Sequence, residues 1–253
     1  MSEPAHPDTR LLDVNRAFYD SLWSSASLVQ ASRFNTWPLV ESLAAHSRDR
    51  LEVAPGLRPR LPLAGTRFVD LSASAVHSLR ASGADAVVGE ITDLPLPDAA
   101  FDLVCALDIV EHVDNDLQAL AELVRVLRHD GTLLLSVPLH PSRWTSFDDL
   151  VGHRRRYEPV RLLEILAAHD LTIVRSAVYG MQPESSRLLD FGVWGLTHHP
   201  KFSSWLYNRV LMPIGMLLQR PLVFVDGLLD TTHVDEVLLV CRRHPSTHAC
   251  HTP

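Results

Sequence analysis

Short apolar runs alternate with helical stripes along most of the chain. The runs "RLEVA" (50–54), "TRFVDLS" (66–72), "ADAVVGE" (84–90), "FDLVCALD" (101–108) and "TLLLSVPL" (132–139) are β-branched or leucine-rich and bounded by Gly, Pro or Asp. That pattern predicts strands buried on both faces. Between them, "SASAVHSLRASG" (72–83) and "NDLQALAELVRVLRHDG" (115–131) repeat at helical spacing. In the second, Leu117, Leu120, Leu123, Val124 and Leu127 form the stripe, Asp114 or Asn115 caps the start, and Gly131 ends it. A helix at 159–169 and a sixth strand at 171–178 follow; 183–230 then breaks the alternation with amphipathic and aromatic-rich helices, and 235–243 reads as a seventh strand. Two helices, 13–23 and 37–45, precede the series. The alternation predicts an α/β fold of parallel βαβ units with helices on both faces of the sheet. The expected organisation is an N-terminal helical lid (1–46), a ligand-binding core (47–182), a helical insertion (183–230), the last core strand (231–243) and a loose tail (244–253).

Composition narrows the class. The 253 residues are 46% hydrophobic and 21% charged, which suits one large domain with a real core. A net charge of -7 argues against a surface built for nucleic-acid phosphates, and the basic cluster 153–156 is too short to reverse that balance. Cys105, Cys241 and Cys250 are few and unpatterned, so a reducing, cytoplasmic setting is expected. Residues 1–10 are polar and lack the features of a secretory signal. The segment 205–229 is greasy, but Arg209, Gln219, Arg220 and Asp226 interrupt it and Pro213 and Pro221 break its helix. Its apolar runs fall short of the roughly 20 residues a span needs, which leaves peripheral membrane contact as its strongest membrane role. The stripe Val193, Trp194, Leu196, Trp205, Leu206 and Tyr207 reads as core or as a contact in a homo-oligomer rather than as a substrate wall. His248, Cys250 and His251 in the tail form no specified metal site, and no metal is expected.

Ligands of open α/β sheets sit at the carboxyl ends of the strands. Here those ends carry Glu52, Asp70, Glu90 and Asp108, a set suited to hydroxyl and amino donors or to positive charge, not to a pyrophosphate. The first loop agrees. Ala54 and Gly56 hold the first two glycine places of a G-x-G-x-x-G pattern, while Pro55, Pro59 and Pro62 remove N–H donors and discourage a long helix. S-adenosylmethionine (SAM) meets these conditions, with a ribose diol for Asp70, an adenine amino group for Glu90, an ammonium, a sulfonium and no phosphate.

On "LEVAPG", "FVDLS" and "GEITDLPLPDAAFDLVCALDIVEHV" the chain resembles the class I SAM-dependent methyltransferases, of the small-molecule "methyltransferase 11" and ubiquinone-biosynthesis-like groups. The resemblance runs from about residue 15 to 180 and resumes at 235–243. It implies a Rossmann-like seven-stranded sheet with an antiparallel last strand. It also implies a cofactor site: Glu52, Ala54 and Gly56 along the methionine end, Asp70 on the ribose, Glu90 and Ile91 at the adenine edge and face, and Leu107 and Asp108 as a floor near the sulfonium. Ala54 and Arg58 depart from the family's glycines. Arg33 is a candidate partner for the methionine carboxylate, with Arg58 as the other well-placed cation.

"DDLVGHRRRY" (148–157) matches a segment that, in related methyltransferases, closes over the active site. One reading makes His153 a general base, Asp149 its orienting partner and Tyr157 a wall of the acceptor pocket. The other has Asp149, Arg155 and Arg156 tying the segment down through charge-assisted bonds. Glu111-His112 reads as a pair that fixes the entry to the following helix. The expected reaction is in-line transfer of a methyl group to an O, N, S or C nucleophile of a small-molecule acceptor, catalysed mainly by positioning. Two alternatives remain: an NAD-type oxidoreductase, disfavoured by the prolines of the loop, and a non-catalytic binding or membrane-surface protein.

Overall fold

The computed structural model describes residues 26–180, 194–195 and 198–244. The expectations for the 13–23 helix, Val193, Leu196 and the tail with His248, Cys250 and His251 lie outside those residues.

Among the described residues eight strands form one sheet: β1 (Arg50–Val53), β2 (Thr66–Asp70), β3 (Asp85–Val88), β4 (Phe101–Leu107), β5 (Leu127–Pro138), β6 (Leu171–Val178), β7 (Val225–Asp226) and β8 (Glu236–Arg243). Their order is β3-β2-β1-β4-β5-β8-β6-β7. The pairs from β3 through β5 are parallel, while β8 runs antiparallel to both β5 and β6. The strand order reverses between β1 and β4, so the crevice beyond their carboxyl ends is the switch point where such sheets bind ligands. The eighth strand departs from the expected seven. It is the two-residue β7, paired to Arg175 and Ser176 at the sheet's edge, and a run that short leaves no periodic signal.

The helices are α1 (Trp37–Ala45), α2 (Ala73–Ala81), α3 (Asp116–Val126), α4 (Ser146–Val151), α5 (Pro159–Ala168), α6 (Pro200–Leu206) and α7 (Met212–Leu217). Ser72 and Asn115 cap α2 and α3, accepting from the backbone N–H groups of Ala75 and Gln118. α3 stops at Val126, short of the expected Gly131. Leu127 turns extended and pairs with Phe101, and Arg243 donates to the carbonyls of Val124 and Leu127, satisfying the helix end from a distant strand. One face of the sheet packs Leu51, Val104, Leu133 and Leu135 against Leu120 and Leu123 of α3 and Leu162 and Leu166 of α5.

The opposite face is built differently. No helix joins β1 to β2; residues 54–65 cross over as an irregular loop where a helix is the usual connection. Leu61 from this loop, wholly buried, joins Val40 of α1 in covering Leu103, Cys105, Leu134 and Val240. α1 is therefore part of the core rather than only a lid. In the insertion, Trp194 and Trp205 stand about half exposed (50% and 49%), so the core reading does not hold for them. Among the described residues no helix is long and apolar enough to cross a membrane.

If Leu61 takes the place of a helix on this face, Leu61→Ala should cost about 2–5 kcal/mol, as a fully buried leucine in a sheet-packing layer does. Urea denaturation reads the change. A loss below ~1 kcal/mol, the size typical of a surface loop position, would show that the loop does not support the core.

Candidate functional site

The β1–β2 loop is shaped by two left-handed residues and two buried carboxylates. Ala54 (φ 56°) and Gly56 (φ 54°) turn the chain sharply at the end of β1. For alanine that conformation costs about 1–2 kcal/mol, which is why glycine is usual at such a position. The Asp70 carboxylate holds the turn: Gly56 N–H donates to Oδ2 at 2.9 Å and Ser72 N–H to Oδ1 at 2.8 Å. Glu52 holds the far end, accepting from the backbone N–H groups of Arg60 and Leu61 at 2.8 Å each. Burial pushes the Glu52 carboxyl up to about 7, with the Asp70 charge adding to it and the Arg60 and Leu61 N–H groups opposing.

The cation the structure brings among these acids is Arg60, which sequence reasoning missed. Its guanidinium stacks 3.6 Å over the Phe34 ring and donates to the Arg58 carbonyl and the Tyr179 hydroxyl. Desolvation works against its charge, but Tyr179, Asp108 and Glu52 outweigh that and hold it charged. Arg33, the sequence candidate, is exposed, with its carbonyl accepting from Gln219. Arg58 reaches instead to Asn208 and the Tyr207 ring in the insertion. A proline-flanked arginine in an expected loop gives no sign of burial; the missing loop helix is what folds it inward.

Of the other expected cofactor residues, Glu90 is exposed and accepts from Thr92, and Ile91 is buried in the main core. Leu107 packs with the cluster beneath α1. Asp108 follows β4 in a left-handed conformation (φ 53°), its N–H donating to the Ser136 hydroxyl at 2.8 Å while that hydroxyl donates to its carboxylate. Asp108 also shares a hydrogen bond with Glu236, whose carboxyl is raised well above the ordinary range by burial and then by the Asp108 charge. Glu236 starts β8 opposite Pro138, the last residue of β5. An acid beginning the antiparallel last strand lies on the same edge as the carboxyl ends of the others, a signal the sequence did hold. Gly180 (φ 101°) makes room for it: a Cβ there would stand 2.6 Å from Glu236 Oε2.

The "DDLVGHRRRY" segment folds onto this edge, with one residue shifted from expectation. Asp148, not Asp149, holds His153: its Oδ1 stands 2.8 Å from Nδ1. Asp148 is wholly buried and takes a two-pronged bond from Arg156 at 2.8 and 2.9 Å. Asp149 is exposed and accepts from the Trp144 indole, because α4 turns it to the outer face. Tyr157 lines a cavity with Asp116, Leu117 and Arg155, and its hydroxyl donates to Asp116, which Arg155 also pairs, so that it braces the segment. The structural reading of Arg155 and Arg156 thus describes what they touch, while His153 lies beside Glu111 and His112.

The loop's amides at Gly56, Arg60 and Leu61 are spent on carboxylates, leaving little for a pyrophosphate. The carboxylate oxygens keep further acceptor sites, which fits the hydroxyl and ammonium groups of SAM.

Residues 57–135 match the family model for a methyltransferase domain. A Mycolicibacterium smegmatis protein named a probable S-adenosylmethionine-dependent methyltransferase is 35% identical over 82 residues, 31% of this chain and 31% of that one. The ajmaline N-methyltransferase of Rauvolfia serpentina is 36% identical over 175 residues, 62% of this chain and 57% of that one. The chain thus spans less than two thirds of the length of these curated relatives. Among solved structures, a SAM-dependent methyltransferase from Thermotoga maritima shares the fold, with a TM-score of 0.55 at 17% identity over 93% of each chain.

Glu52 generates a pH prediction. Its carboxyl sits at about 7 in the folded state against an ordinary 4.5, so the folded chain holds the proton more tightly. Stability is then fully present below about pH 4.5 and falls as pH rises towards 7, by roughly 3 kcal/mol. Glu52→Gln removes that component, so urea midpoints at pH 5 and pH 7.5 should differ less in the variant than in the parent. Equal differences would mean Glu52 is ionised at no cost in the folded protein.

Proposed function

We propose that this chain, whose core is a class I SAM-dependent methyltransferase domain, is an enzyme that moves the methyl group of SAM to a small-molecule acceptor. The observation that carries the reading is the β1–β2 loop, turned at Ala54 and Gly56 and fastened by Asp70 and Glu52 at the sheet's switch point. SAM supplies an already activated methyl group, so the chain's task is to hold donor and acceptor in line. Asp70 accepts from the ribose hydroxyls, Glu90 from the adenine amino group, and Ile91 and Leu107 back the apolar walls. Ala54 and Gly56 let the backbone approach the methionine end, where Arg60 takes the part expected of Arg33 and pairs with the carboxylate. Asp108 floors the region near the sulfonium. His153 serves the acceptor side, in line with its place beyond β5. Nothing in the matches supports hydride transfer.

The acceptor nucleophile is a nitrogen or oxygen in this reading; the N-methylating relative supports the first. The buried, unpaired thiols of Cys105 and Cys241 support a cytoplasmic setting. Exposed Phe202, Trp205, Leu217 and Leu218 support peripheral membrane contact through the insertion.

Calorimetry tests the cofactor assignment. The parent should bind SAM and not NADH, and Asp70→Ala should weaken SAM by about 10–100-fold, the equivalent of hydrogen bonds to a charged group. An unchanged SAM affinity in that variant would overturn the ribose assignment. Arg60→Met should weaken SAM more than methylthioadenosine, which lacks the carboxylate; equal losses would leave Arg60 a part of the loop's framework.

A further inference from the structure

Three ligating side chains converge on the acceptor side of the site. One ligand atom from each of Glu111, His112 and His153 lies within 4.8 Å of the others. His153 Nε2 stands 3.8 Å from Glu111 Oε1, and the two imidazoles meet edge to face with centroids 4.7 Å apart. Two different segments supply them. Glu111 and His112 lie on the short turn Val110–His112 after β4, and His153 follows the end of α4. The Arg154 N–H donates to the Glu111 carbonyl at 2.7 Å and locks the segments together.

Each side chain is prepared in a way that methyl transfer alone does not require. The Nδ1 of His153 is committed to Asp148, which also accepts from Arg156 and Thr145. The proton of a neutral imidazole therefore sits on Nδ1, and Nε2 carries the lone pair, as in carboxylate–histidine–metal arrangements. The Gly152 and Val151 carbonyls hold the His112 ring in place. Glu111 is 1% exposed, and its Oε2 has no hydrogen-bond partner. An orphaned carboxylate oxygen at that depth is costly. An ion pair with His153 does not relieve it, because 3.8 Å exceeds hydrogen-bond reach.

We propose that Glu111, His112 and His153 form a binding site for a divalent first-row transition ion such as zinc or cobalt, with Asp148 orienting His153 from outside. The inference deepens the acceptor side of the proposed methyltransferase and departs from the expectation that the chain binds no metal. Two imidazoles favour a transition ion over magnesium or calcium. Ligands at 2.0–2.2 Å around a tetrahedron stand about 3.4 Å apart, so side-chain movement of roughly an ångström closes the group. Three protein ligands leave a position open for water or an acceptor oxygen, the pattern of a working ion rather than a structural one. An oxygen bound there would lose its proton more readily. His153 then acts as a ligand, and the general-base role passes from it.

The test is cobalt titration of the chelator-treated full chain, read by visible absorption, with SAM calorimetry on the same sample. One Co²⁺ per chain should bind with the spectrum of a low-coordinate site and be displaced by Zn²⁺. His112→Gln and His153→Gln should each weaken Co²⁺ at least tenfold, while exposed Asp149→Asn leaves it unchanged. If a variant fails to fold, X-ray absorption on the parent's cobalt complex decides instead: a shell with two imidazoles supports the site, and one without them overturns it. A parent that binds SAM but no stoichiometric Co²⁺ overturns the metal site alone. A parent that binds Co²⁺ but not SAM leaves the metal site standing and sinks the methyltransferase reading. Binding that survives His153→Gln and is lost on deleting residues 245–253 also overturns the proposal.

Discussion

Two buried carboxylates, Glu52 and Asp70, accept backbone N–H groups from a loop that has no helix to satisfy them. Parallel strands joined without a helix face two problems: unpaired amides and a bare sheet face. Glu52 and Asp70 answer the first, taking three backbone donors of the loop between them. Leu61 and α1 answer the second by covering the face that a crossover helix would cover. The prolines that prevent a helix between β1 and β2 therefore make the carboxylates necessary, and the carboxylates in turn place Arg60 inside the site.

That solution concentrates negative charge. Glu52, Asp108, Glu111 and Glu236 crowd one edge of the sheet, and burial raises the carboxyls of Glu52, Glu111 and Glu236. Isolated buried charges are too costly to keep, so the chain either protonates them or provides partners. Arg60 is the partner on the loop side, and Arg156 is the partner for Asp148 beneath the "DDLVGHRRRY" segment. In the proposed reading the edge divides into a cofactor half under the loop and an acceptor half under the "DDLVGHRRRY" segment. A cationic donor and a deprotonating acceptor suit those two halves.

Much of the sheet was legible because its signal is local. Apolar runs of four to eight residues bounded by turns locate the core strands, and β6 spans Leu171–Val178 as expected. The acids at the ends of β1, β2 and β4 follow directly from that placement. What was not legible depends on distant partners. α3 ends at Val126, where Arg243, on the last strand, donates to the Val124 carbonyl. Asp148 and Asp149 are adjacent and chemically alike, and only the orientation of α4 and the pull of Arg156 decide which one meets His153. Arg60 and Arg33 likewise differ by burial, which the folding of an irregular loop determines. Sequence periodicity reports which face a residue takes within an element, and it says nothing about residues outside one.

In the proposed reading the β1–β2 loop and the end of β2 together form the cofactor cradle. Amide hydrogen exchange with and without saturating SAM tests it most directly. Protection should rise at residues 54–61 and 70–72, with little change in the strands already buried beneath them. Saturation with SAM that leaves both segments exchanging as before would contradict the account.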